Sequence, residues 1–449
     1  MRKKAEDIRI LDNGFYIATM GCQMNEYDSE AIAQTLVEYG YQPVSNPENA
    51  KIVLINTCTV REKADQKAMS LLGRMSRIKA RRPGMVLGMV GCLAQKEGKH
   101  LFRRFPQLDM VAGPRELADL RSILDAVVLQ KKKMIATRLD LPPSNPAKIH
   151  PLHDKKVSAY VSIMQGCDNF CTYCIVPHVR GREVSRSPRE IMDEVRFLVA
   201  QGVKEITLLG QNVNSYSWKD HSGSYTFVSL LQTLAEVEGL TRLRFTTSHP
   251  KDLSDDLIYC FRGLDILCPH IHLPFQAGSN EILRRMKRGY SREQYMELIG
   301  KLREVVPDIA ITSDVMVGFP GESVRDFEET MDLIGKIRFD SLFSFKYSDR
   351  AGTVAARMDQ KVSEEEKSRR LNRLQALQRH ITLQKNRSLE GRKVVVLVEG
   401  CSKKDGQIMG RTDTNKIVNF IPKNNEIGCL IKVYIKKAFV NSLRGEPTH

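Results

Sequence analysis

The sequence contains no apolar run of the roughly 18–20 residues that a membrane-spanning helix needs, although 42% of its 449 residues are apolar. Its basic start at Met1 is not followed by the apolar segment of a secretory signal peptide. A phosphate loop of the form G-x-x-x-x-G-K-S/T is also missing, so nucleotide hydrolysis is not indicated. These absences predict a cytoplasmic protein without a membrane partner. In that compartment the ten cysteines are expected to be free or metal-bound rather than paired in disulfides.

Acidic residues are in short supply. The chain has 53 aspartate and glutamate residues against 69 lysine and arginine residues, which gives a formal charge of +16. Such an excess of base favours a polyanionic partner, and nucleic acid is the first hypothesis. The alternative is general basicity with no partner, because net charge informs on association and not on mechanism.

Three cysteines in the first part of the chain each follow a short apolar run. The runs Phe15–Met20, Ile52–Ile55 and Met85–Val90 precede Cys22, Cys58 and Cys92, and helical patterns such as Ser29–Tyr39 and Glu62–Arg77 lie between them. This alternation predicts a Rossmann-like α/β domain over residues 13–130, in which the thiols meet at the carboxyl ends of parallel strands. The alternative is that they are buried small hydrophobic residues that happen to end strands.

A second strand–helix alternation over residues 157–384 follows a proline- and lysine-rich linker at 131–156. Its strand candidates are Ala159–Met164, Glu205–Leu209, Arg242–Thr246, His270–Pro274, Ile309–Val317 and Ser341–Tyr347. Six βα units with right-handed crossovers predict a partial (β/α) barrel, with its chemistry at the carboxyl ends of the strands.

The last part of the chain, residues 385–449, predicts a small β-barrel. A helix capped by Ser363, with Glu366 completing a capping box, should run to about Asn386. Five short β runs follow: Lys393–Val398, Gln407–Arg411, Ile417–Phe420, Leu430–Ile435 and Lys437–Leu443. With 13 basic and 6 acidic residues, a net charge of +7, this barrel fits a nucleic-acid-binding module.

The densest motif is a C-x3-C-x2-C run formed by Cys167, Cys171 and Cys174. Three thiolates leave one iron of a four-iron cluster without a protein ligand, and an open metal position is what a reactive site needs. The same holds for the group formed by the first three cysteines. The main rival for the run is a zinc site that uses His178 as the fourth ligand.

This run, with the aromatic Tyr173 before its last cysteine, resembles the motif of the radical S-adenosylmethionine (SAM) enzymes. Several further segments resemble the methylthiotransferase family within that superfamily. They are Thr19–Ser29, Asn56–Arg61, Gly91–Gln95, Thr247–Pro250, His272–Ser279 and Met316–Glu322. The basic tail resembles that family's TRAM domain, and residues 23–27 and 347–353 resemble the branch that acts on isopentenylated tRNA.

The resemblance implies two [4Fe-4S] clusters and SAM as cofactors. One cluster should sit on Cys167, Cys171 and Cys174, and an auxiliary, sulfur-carrying cluster on the other three cysteines. The implied reaction is methylthiolation of C2 of N6-isopentenyladenosine at position 37 of tRNA, using two SAM molecules. The implied partners are a tRNA anticodon stem-loop, an electron donor such as flavodoxin or ferredoxin, and a supplier of sulfur or clusters. A monomer is expected, and no predicted ligand lies beyond Cys174, so the tail should be removable with both clusters intact.

Five residues are candidates for SAM contacts: Tyr173, Gln211, Ser248, Gln276 and Asp314. The last four lie near the ends of predicted barrel strands, where ordinary loop hydrogen bonding is the competing explanation. Beyond the cluster ligands, no catalytic residue is assigned. The enzyme alternatives use threonylcarbamoyl-adenosine in tRNA or a ribosomal-protein aspartate as substrate, and the non-enzyme alternative is an iron–sulfur RNA-binding protein or electron carrier. Reductive cleavage of SAM would separate these two classes.

Overall fold

The computed structural model describes residues 13–59, 62–141, 156–221, 223–402, 404, 406–422, 424 and 426–448. The chain forms two compact units. The first contains the described residues up to 141 together with Met164–Asp168 and Cys174–Val184, and the second contains 156–163, Asn169–Tyr173 and the described residues from Ser185 onward. None of the helices in the described part of the chain combines the length and apolar character that a membrane crossing requires.

A six-stranded parallel sheet organises the first unit. Its elements are β1 (Gly14–Met20), α1 (Gln23–Glu38), β2 (Gln42–Pro43), β3 (Ile52–Thr57), α2 (Glu62–Arg81), β4 (Val86–Gly91), α3 (Cys92–Glu97), α4 (Lys99–Arg104), β5 (Met110–Ala112), α5 (Leu120–Leu124) and β6 (Met134–Ala136). The strand order is β2-β1-β3-β4-β5-β6, and every neighbouring pair is parallel. The three predicted strands that precede cysteines are therefore confirmed, and they are adjacent in the sheet.

The central strand β3 shows why this sheet needs helices on both faces. Ile52 and Leu54 lie in one hydrophobic cluster, while Val53 and Ile55 lie in another. Because successive side chains of a strand point to opposite faces, both faces of the sheet are buried, as a parallel sheet requires.

The predicted linker at 131–156 contains a strand. Its residues 134–136 form β6, which pairs in parallel with β5, and Met134 and Ala136 pack against the core. Residues 142–155 of this stretch lie outside the described residues, as do Val60 and Arg61 of the 56–61 segment.

Parallel strands also organise the second unit. The elements that follow in chain order are β7 (Ser158–Ser162), β8 (Met164–Gln165), α6 (Val176–Arg180), β9 (Val184–Ser185), α7 (Pro188–Ala200), β10 (Glu205–Leu209), β11 (Ser217–Asp220), β12 (Gly223–Thr226), α8 (Phe227–Ala235), β13 (Arg242–Phe245), α9 (Asp255–Gly263), β14 (His270–His272), α10 (Asn280–Arg285), α11 (Arg292–Val305), β15 (Ala310–Val317), α12 (Val324–Ile337), β16 (Ser341–Lys346) and α13 (Glu364–Arg387). Of these, β8 and α6 belong to the first unit.

Two three-stranded sheets, β13-β10-β7 and β14-β15-β16, carry the six predicted barrel strands. All pairs within them are parallel, and a bridge between Leu243 and Leu267 connects β13 to the segment before β14. The partial barrel is thus confirmed. The antiparallel hairpin β11–β12 was not predicted, because its polar, serine- and glycine-rich sequence reads as a loop.

The start of α13 corrects one local prediction. The Ser363 side chain accepts a hydrogen bond from the Glu366 backbone N–H at 3.2 Å, so the cap is present. The Glu366 carboxylate, however, pairs with Arg369 and Arg370. Two nearby guanidinium groups take the carboxylate away from the second half of the predicted capping box.

The C-terminal five-stranded barrel is closed, in the order β17-β18-β19-β21-β20. Its strands are β17 (Lys393–Cys401), β18 (Ile408–Thr412), β19 (Ile417–Phe420), β20 (Leu430–Ala438) and β21 (Leu443–Pro447). The predicted fifth strand, Lys437–Leu443, was misplaced. An irregularity between Ile435 and Lys437 lets β20 continue to Ala438, and the last strand begins only after the turn that follows.

Candidate functional site

The three N-terminal cysteines come together at one edge of the first unit's sheet. Cys22 follows β1, Cys58 follows β3, and Cys92 is the first residue of α3 after β4. These three strands are neighbours in the sheet, so their carboxyl ends adjoin. Side-chain hydrogen bonds link Cys58 to both Cys22 and Cys92.

Two glycines allow the loops to approach this closely. Gly21 has φ +150°, and a Cβ there would lie 2.5 Å from the Cys58 Cβ. Gly91 has φ +90°, and a Cβ there would lie 2.8 Å from the Thr57 carbonyl oxygen. Any side chain at either position would push the cysteine loops apart, and both backbone conformations favour glycine.

A buried amide network orients the Cys22 loop. The Asn25 Oδ1 accepts from the Cys22 backbone N–H at 3.4 Å and from its Sγ at 3.3 Å. The Asn25 Nδ2 donates to Asn56 Oδ1 at 3.1 Å, and the Asn56 Nδ2 donates to Ser29 Oγ at 2.9 Å. Both asparagines are fully buried, so the network ties the loop after β1 to the end of β3.

A buried arginine lies beside these thiols. Arg180, at the end of α6, donates from Nε to Cys92 Sγ at 3.3 Å and from Nη2 to Asp28 Oδ2 at 2.7 Å. The Arg180 and Asp28 side chains are 3% and 2% exposed. Arg115 fixes the end of α6 by donating to the carbonyl oxygens of Arg180 and Arg182. The cation is therefore built into the first unit rather than lying on its surface.

The thiols have unequal proton affinities. A hydrogen bond from Cys58, assisted by the charge of Arg180, lowers the pKa of Cys22 to about 6. The same two influences lower the pKa of Cys92, whereas the hydrogen bonds to its two neighbours raise the pKa of Cys58 well above its ordinary value. Two sites thus favour thiolate, and thiolate is the form that binds metal. In the described part of the chain, no group of three or more histidine, cysteine, aspartate or glutamate side chains is positioned to hold a metal ion.

The C-x3-C-x2-C loop follows β8. Cys167 and Cys174 belong to the first unit and Cys171 to the second. In the second unit a buried arginine again touches a cysteine, because Arg288 Nη1 lies 3.4 Å from both Cys171 Sγ and Tyr173 Oη.

In the first unit, Ile175 connects the loop to the other cysteine group. It directly follows Cys174 and packs in one cluster with Val179 and Cys92. One cysteine of the loop is thereby held near the N-terminal group.

The predicted SAM-contacting residues lie on neighbouring strand ends of the second unit. Backbone hydrogen bonds join Ser248 to His272 at 3.3 Å and Gln276 to Asp314 at 2.9 Å. The His272 Nε2 lies 3.6 Å from the Asp314 Oδ1, which places these residues side by side. Gln211 lies just after β10, whereas Tyr173 is packed against a hydrophobic cluster and held by Arg288.

Three buried polar atoms at these strand ends have no hydrogen-bond partner in the described part of the chain: Asn212 Oδ1, Ser248 Oγ and His249 Nε2. Burial, with the charges of Arg288 and Lys251, lowers the pKa of His249 to about 2, so its ring is neutral. Unpartnered buried acceptors and donors are costly unless a ligand pairs with them. The strand ends are therefore suited to a polar ligand.

The sequence alone did not single out Arg180, Asp28 or Arg288 as residues that organise the thiols. Arginine and aspartate are common on exposed helix faces, and no spacing marks them as partners of a thiol. The only available signal was Asp28 inside the Thr19–Ser29 segment, where its burial could not be foreseen.

Comparison with known proteins matches three family models along the chain. They are the uncharacterized protein family UPF0004 at residues 14–113, the radical SAM superfamily at 161–334 and the TRAM domain at 387–448. Among solved structures, the radical SAM methyltransferase TsrM from Kitasatospora setae matches with a TM-score of 0.56 and 13% identity over 77% of each chain. At that identity the likeness concerns the fold alone.

Curated relatives match nearly the whole chain. A tRNA-2-methylthio-N(6)-dimethylallyladenosine synthase from Syntrophus aciditrophicus is 51% identical, covering 98% of this chain and 95% of the relative. The protein of the same name from Geobacter sulfurreducens is 48% identical, covering 96% of each chain. Family membership carries with it the radical SAM chemistry that uses SAM and iron–sulfur clusters. The chain therefore belongs to the family of the tRNA-2-methylthio-N(6)-dimethylallyladenosine synthases.

Proposed function

We propose that this protein is a radical SAM methylthiotransferase that acts on C2 of N6-isopentenyladenosine at position 37 of tRNA. One observation carries the proposal: two groups of three cysteines, with Ile175, the residue after Cys174, packed on Cys92 of the other group. A single three-cysteine group would serve reductive SAM cleavage alone. A second group, one of whose cysteines packs on the residue after Cys174 within the first unit, would give the sulfur to be delivered a place of its own.

Six thiols would hold two [4Fe-4S] clusters. Cys167, Cys171 and Cys174 would bind the cluster that also binds SAM, and the group at the ends of β1, β3 and β4 would bind the auxiliary cluster. When bound, these groups would supply one-electron cleavage of SAM and an iron position for the sulfur to be delivered. The residues fit these clusters by the chemistry of their donors, because thiolates are the ligands of iron–sulfur clusters and three of them leave one iron of each cluster open.

The chain's own residues would position SAM at the strand ends of the partial barrel. Ser248 Oγ and His249 Nε2 are buried and without partners among the described residues, so both are available to the polar groups of SAM. Gln211, Gln276 and Asp314 would complete this surface from adjoining strands. Tyr173, held by Arg288, would support the cluster loop.

The C-terminal barrel would hold the tRNA anticodon stem-loop through its phosphates. Its outer face carries exposed lysines at Lys393, Lys432 and Lys437. Phosphate contacts position a nucleic acid without reading its sequence, so the base itself would be selected at the partial barrel. An unstacked adenine in a single-stranded loop reaches such a pocket more easily than one in a duplex.

Two further partners belong to the proposal. The protein would take electrons from a flavodoxin or ferredoxin and receive sulfur or clusters from a separate supplier, and it would act as a monomer. The two partners follow from the chemistry, because reductive SAM cleavage consumes an electron and each methylthiolation consumes a sulfur.

The test is mass spectrometry of nucleosides from tRNA incubated anaerobically with reconstituted protein, reductant, sulfide and SAM. The reconstituted chain should hold about eight irons and form 2-methylthio-N6-isopentenyladenosine. C22A/C58A/C92A should abolish sulfur insertion but retain SAM cleavage, whereas C167A/C171A/C174A should abolish cleavage. The matched control is C401S/C429S, which changes two exposed thiols outside both groups.

The substrate assignment is tested separately with tRNA that lacks the isopentenyl group. Losing five buried carbons should weaken binding by several kcal/mol at about 0.8 kcal/mol per carbon. Equal turnover on both tRNAs would overturn the isopentenyladenosine assignment and leave the radical chemistry standing. A zinc content near one with little iron would instead overturn the cluster assignment.

A further inference from the structure

Arg180 carries a buried donor that has no acceptor in the described part of the chain. Its Nε donates to Cys92 Sγ at 3.3 Å and its Nη2 donates to Asp28 Oδ2 at 2.7 Å. The remaining nitrogen, Nη1, is enclosed and without a hydrogen-bond partner among the described residues. Buried donors are almost always satisfied in native proteins, so an acceptor from outside the chain is expected here.

The neighbours of Arg180 define what that acceptor is. The Cys92 sulfur contacts the guanidinium directly, and the positive charge also acts on Cys22. Among the described residues, Asp28 supplies the one carboxylate that the guanidinium contacts, and it occupies Nη2. The acceptor for Nη1 would therefore lie beside the cysteine sulfurs, where the expected occupant is an anionic iron–sulfur cluster.

The second buried arginine provides a contrast. Arg288 also lies beside a cysteine, but its Nη1 faces Cys171 and Tyr173, its Nη2 donates to the Pro274 carbonyl oxygen, and its Nε donates to Tyr290 Oη. Each of its nitrogens has a partner within the chain. An unpartnered nitrogen is thus a property of Arg180 and not a general result of burying an arginine near a thiol.

We propose that Arg180 is a positioning residue for the auxiliary cluster. Its Nε holds the Cys92 thiolate, and its Nη1 donates to an anionic sulfur, which is either a sulfide of the cluster or the sulfur bound at the open iron. Asp28 fixes the guanidinium, so that Nε and Nη1 both stay directed at sulfur atoms. This inference rests on the proposed function, because it requires Cys22, Cys58 and Cys92 to hold the cluster.

Two measurable consequences follow from this arrangement. Reduction adds negative charge to a cluster, and a fixed cation that donates to its sulfurs favours the reduced form, since hydrogen bonds to the sulfurs set the potential. A sulfide or thiolate on the open iron brings further negative charge, which the same cation would stabilise. Removing Arg180 should therefore lower the reduction potential, the affinity for added sulfide, or both.

The experiment uses the full chain carrying C167A/C171A/C174A, so that the auxiliary cluster is the only one expected. In this background R180M, R180K and D28N/R180M are compared with the parent. The double variant removes both buried charges and keeps the comparison valid if R180M alone fails to fold. R121Q is the matched control, because it removes one positive charge from an exposed position in the same unit.

The readouts are iron content, the reduction potential from an EPR-monitored titration, and the change in the EPR signal on adding sodium sulfide. The comparison is made at about four irons per chain. The variants lacking Arg180 should favour the oxidised cluster at least tenfold more than the parent does, so their reduction potential should be lower by at least about 59 mV for one electron. Half-saturation by sulfide should need at least tenfold more sulfide. R180K should restore much of the potential, because it keeps the charge, but not the sulfide affinity, because one ammonium cannot copy the two aimed donors.

The two readouts separate the sources of the anionic sulfur. A potential shift without added sulfide assigns Nη1 to a cluster sulfide, and a weaker sulfide response alone assigns it to the sulfur on the open iron. An unchanged potential and sulfide response in both R180M and D28N/R180M would overturn the inference. A parent that holds no cluster would instead refute the proposed function, so the two failures are distinguishable.

Discussion

Replacing Arg244 with methionine should loosen the C-terminal barrel from the parallel strands of the second unit. Arg244 is 5% exposed and donates from Nε to Glu205 Oε2 at 2.9 Å. Its Nη1 and Nη2 donate to the carbonyl oxygens of Asp413 and Thr412, at 2.7 Å each. R244M would leave the buried Glu205 carboxylate without its cation, a loss that typically costs about 3–5 kcal/mol.

The prediction is checked by urea unfolding of the full chain and by proteolysis near the start of β17. R244M should lower the free energy of unfolding by about 3–5 kcal/mol and speed cleavage between α13 and β17. E205Q/R244M, which removes both charges, should recover part of that loss. R387M, at an exposed position, is the control. A loss below about 1 kcal/mol, or a double variant no more stable than the single one, would show that the buried Arg244–Glu205 pair does not hold the barrel in place.

The same contacts change how the C-terminal barrel should be studied. Arg242 donates to the carbonyl oxygens of Arg411 and Val395, and Lys416 Nζ donates to Asp340 Oδ1 at 2.9 Å. Deleting the chain after α13 would leave the buried Arg242 without these two acceptors and Asp340 with Lys385 as its remaining cation. The expectation that the tail can be removed with both clusters intact therefore has a physical argument against it, and surface substitutions are the cleaner perturbation.

The remaining predictions concern tRNA affinity, acid stability and the Cys22 loop. Changing Lys393, Lys432 and Lys437 to glutamate should weaken tRNA binding in filter assays. It should also flatten the salt dependence by about 0.7–0.9 for each phosphate that is no longer neutralised, and an unchanged slope would argue that these lysines do not touch the tRNA. Because burial lowers the pKa of His249 to about 2, the unfolded chain binds a proton below about pH 6.5 that the folded chain refuses. The free energy of unfolding should then fall by up to about 1.4 kcal/mol per pH unit below that value, and H249N should reduce the slope measured by urea unfolding at pH 7 and 5.5. N25A should cost about 1–3 kcal/mol and lower the iron retained by the C167A/C171A/C174A chain; full retention would show that the amide network does not order the Cys22 loop.

The pattern of apolar and polar residues predicted the helices and strands that depend on interactions between residues close together in the sequence. The apolar runs before Cys22, Cys58 and Cys92 are buried parallel strands because such strands need apolar side chains on both faces. The predicted strands at 205–209 and 417–420 match β10 and β19 to the residue. Errors arose where a side chain had a competing partner, as with Glu366 and the two arginines one helical turn further on, or where an irregularity extended a strand, as in β20.

The candidate site likewise has features that the sequence predicts and features that it does not. Cysteine spacing located the thiols, because the residue type is rare and its position after a strand is informative. The hydrogen bonds that organise them join residues far apart in the chain: Arg180 is 152 residues from Asp28 and 88 residues from Cys92. No periodicity or spacing rule connects such positions, so only the three-dimensional arrangement reveals them.

Arg180 also shows why consecutive sequence ranges describe this protein incompletely. The segment Cys174–Val184 lies within the radical SAM family match, yet it packs with the first unit. It carries one cysteine of the loop at its start and the buried cation of the N-terminal cysteine group at the end of α6. A fragment that stops after residue 130 would leave Asp28 without its cation and Cys92 without its apolar neighbours Ile175 and Val179. The chemistry of Cys22, Cys58 and Cys92 therefore requires a chain that includes Arg180. A displacement of α6 would alter the contacts of Cys92 and of the residue after Cys174 at the same time.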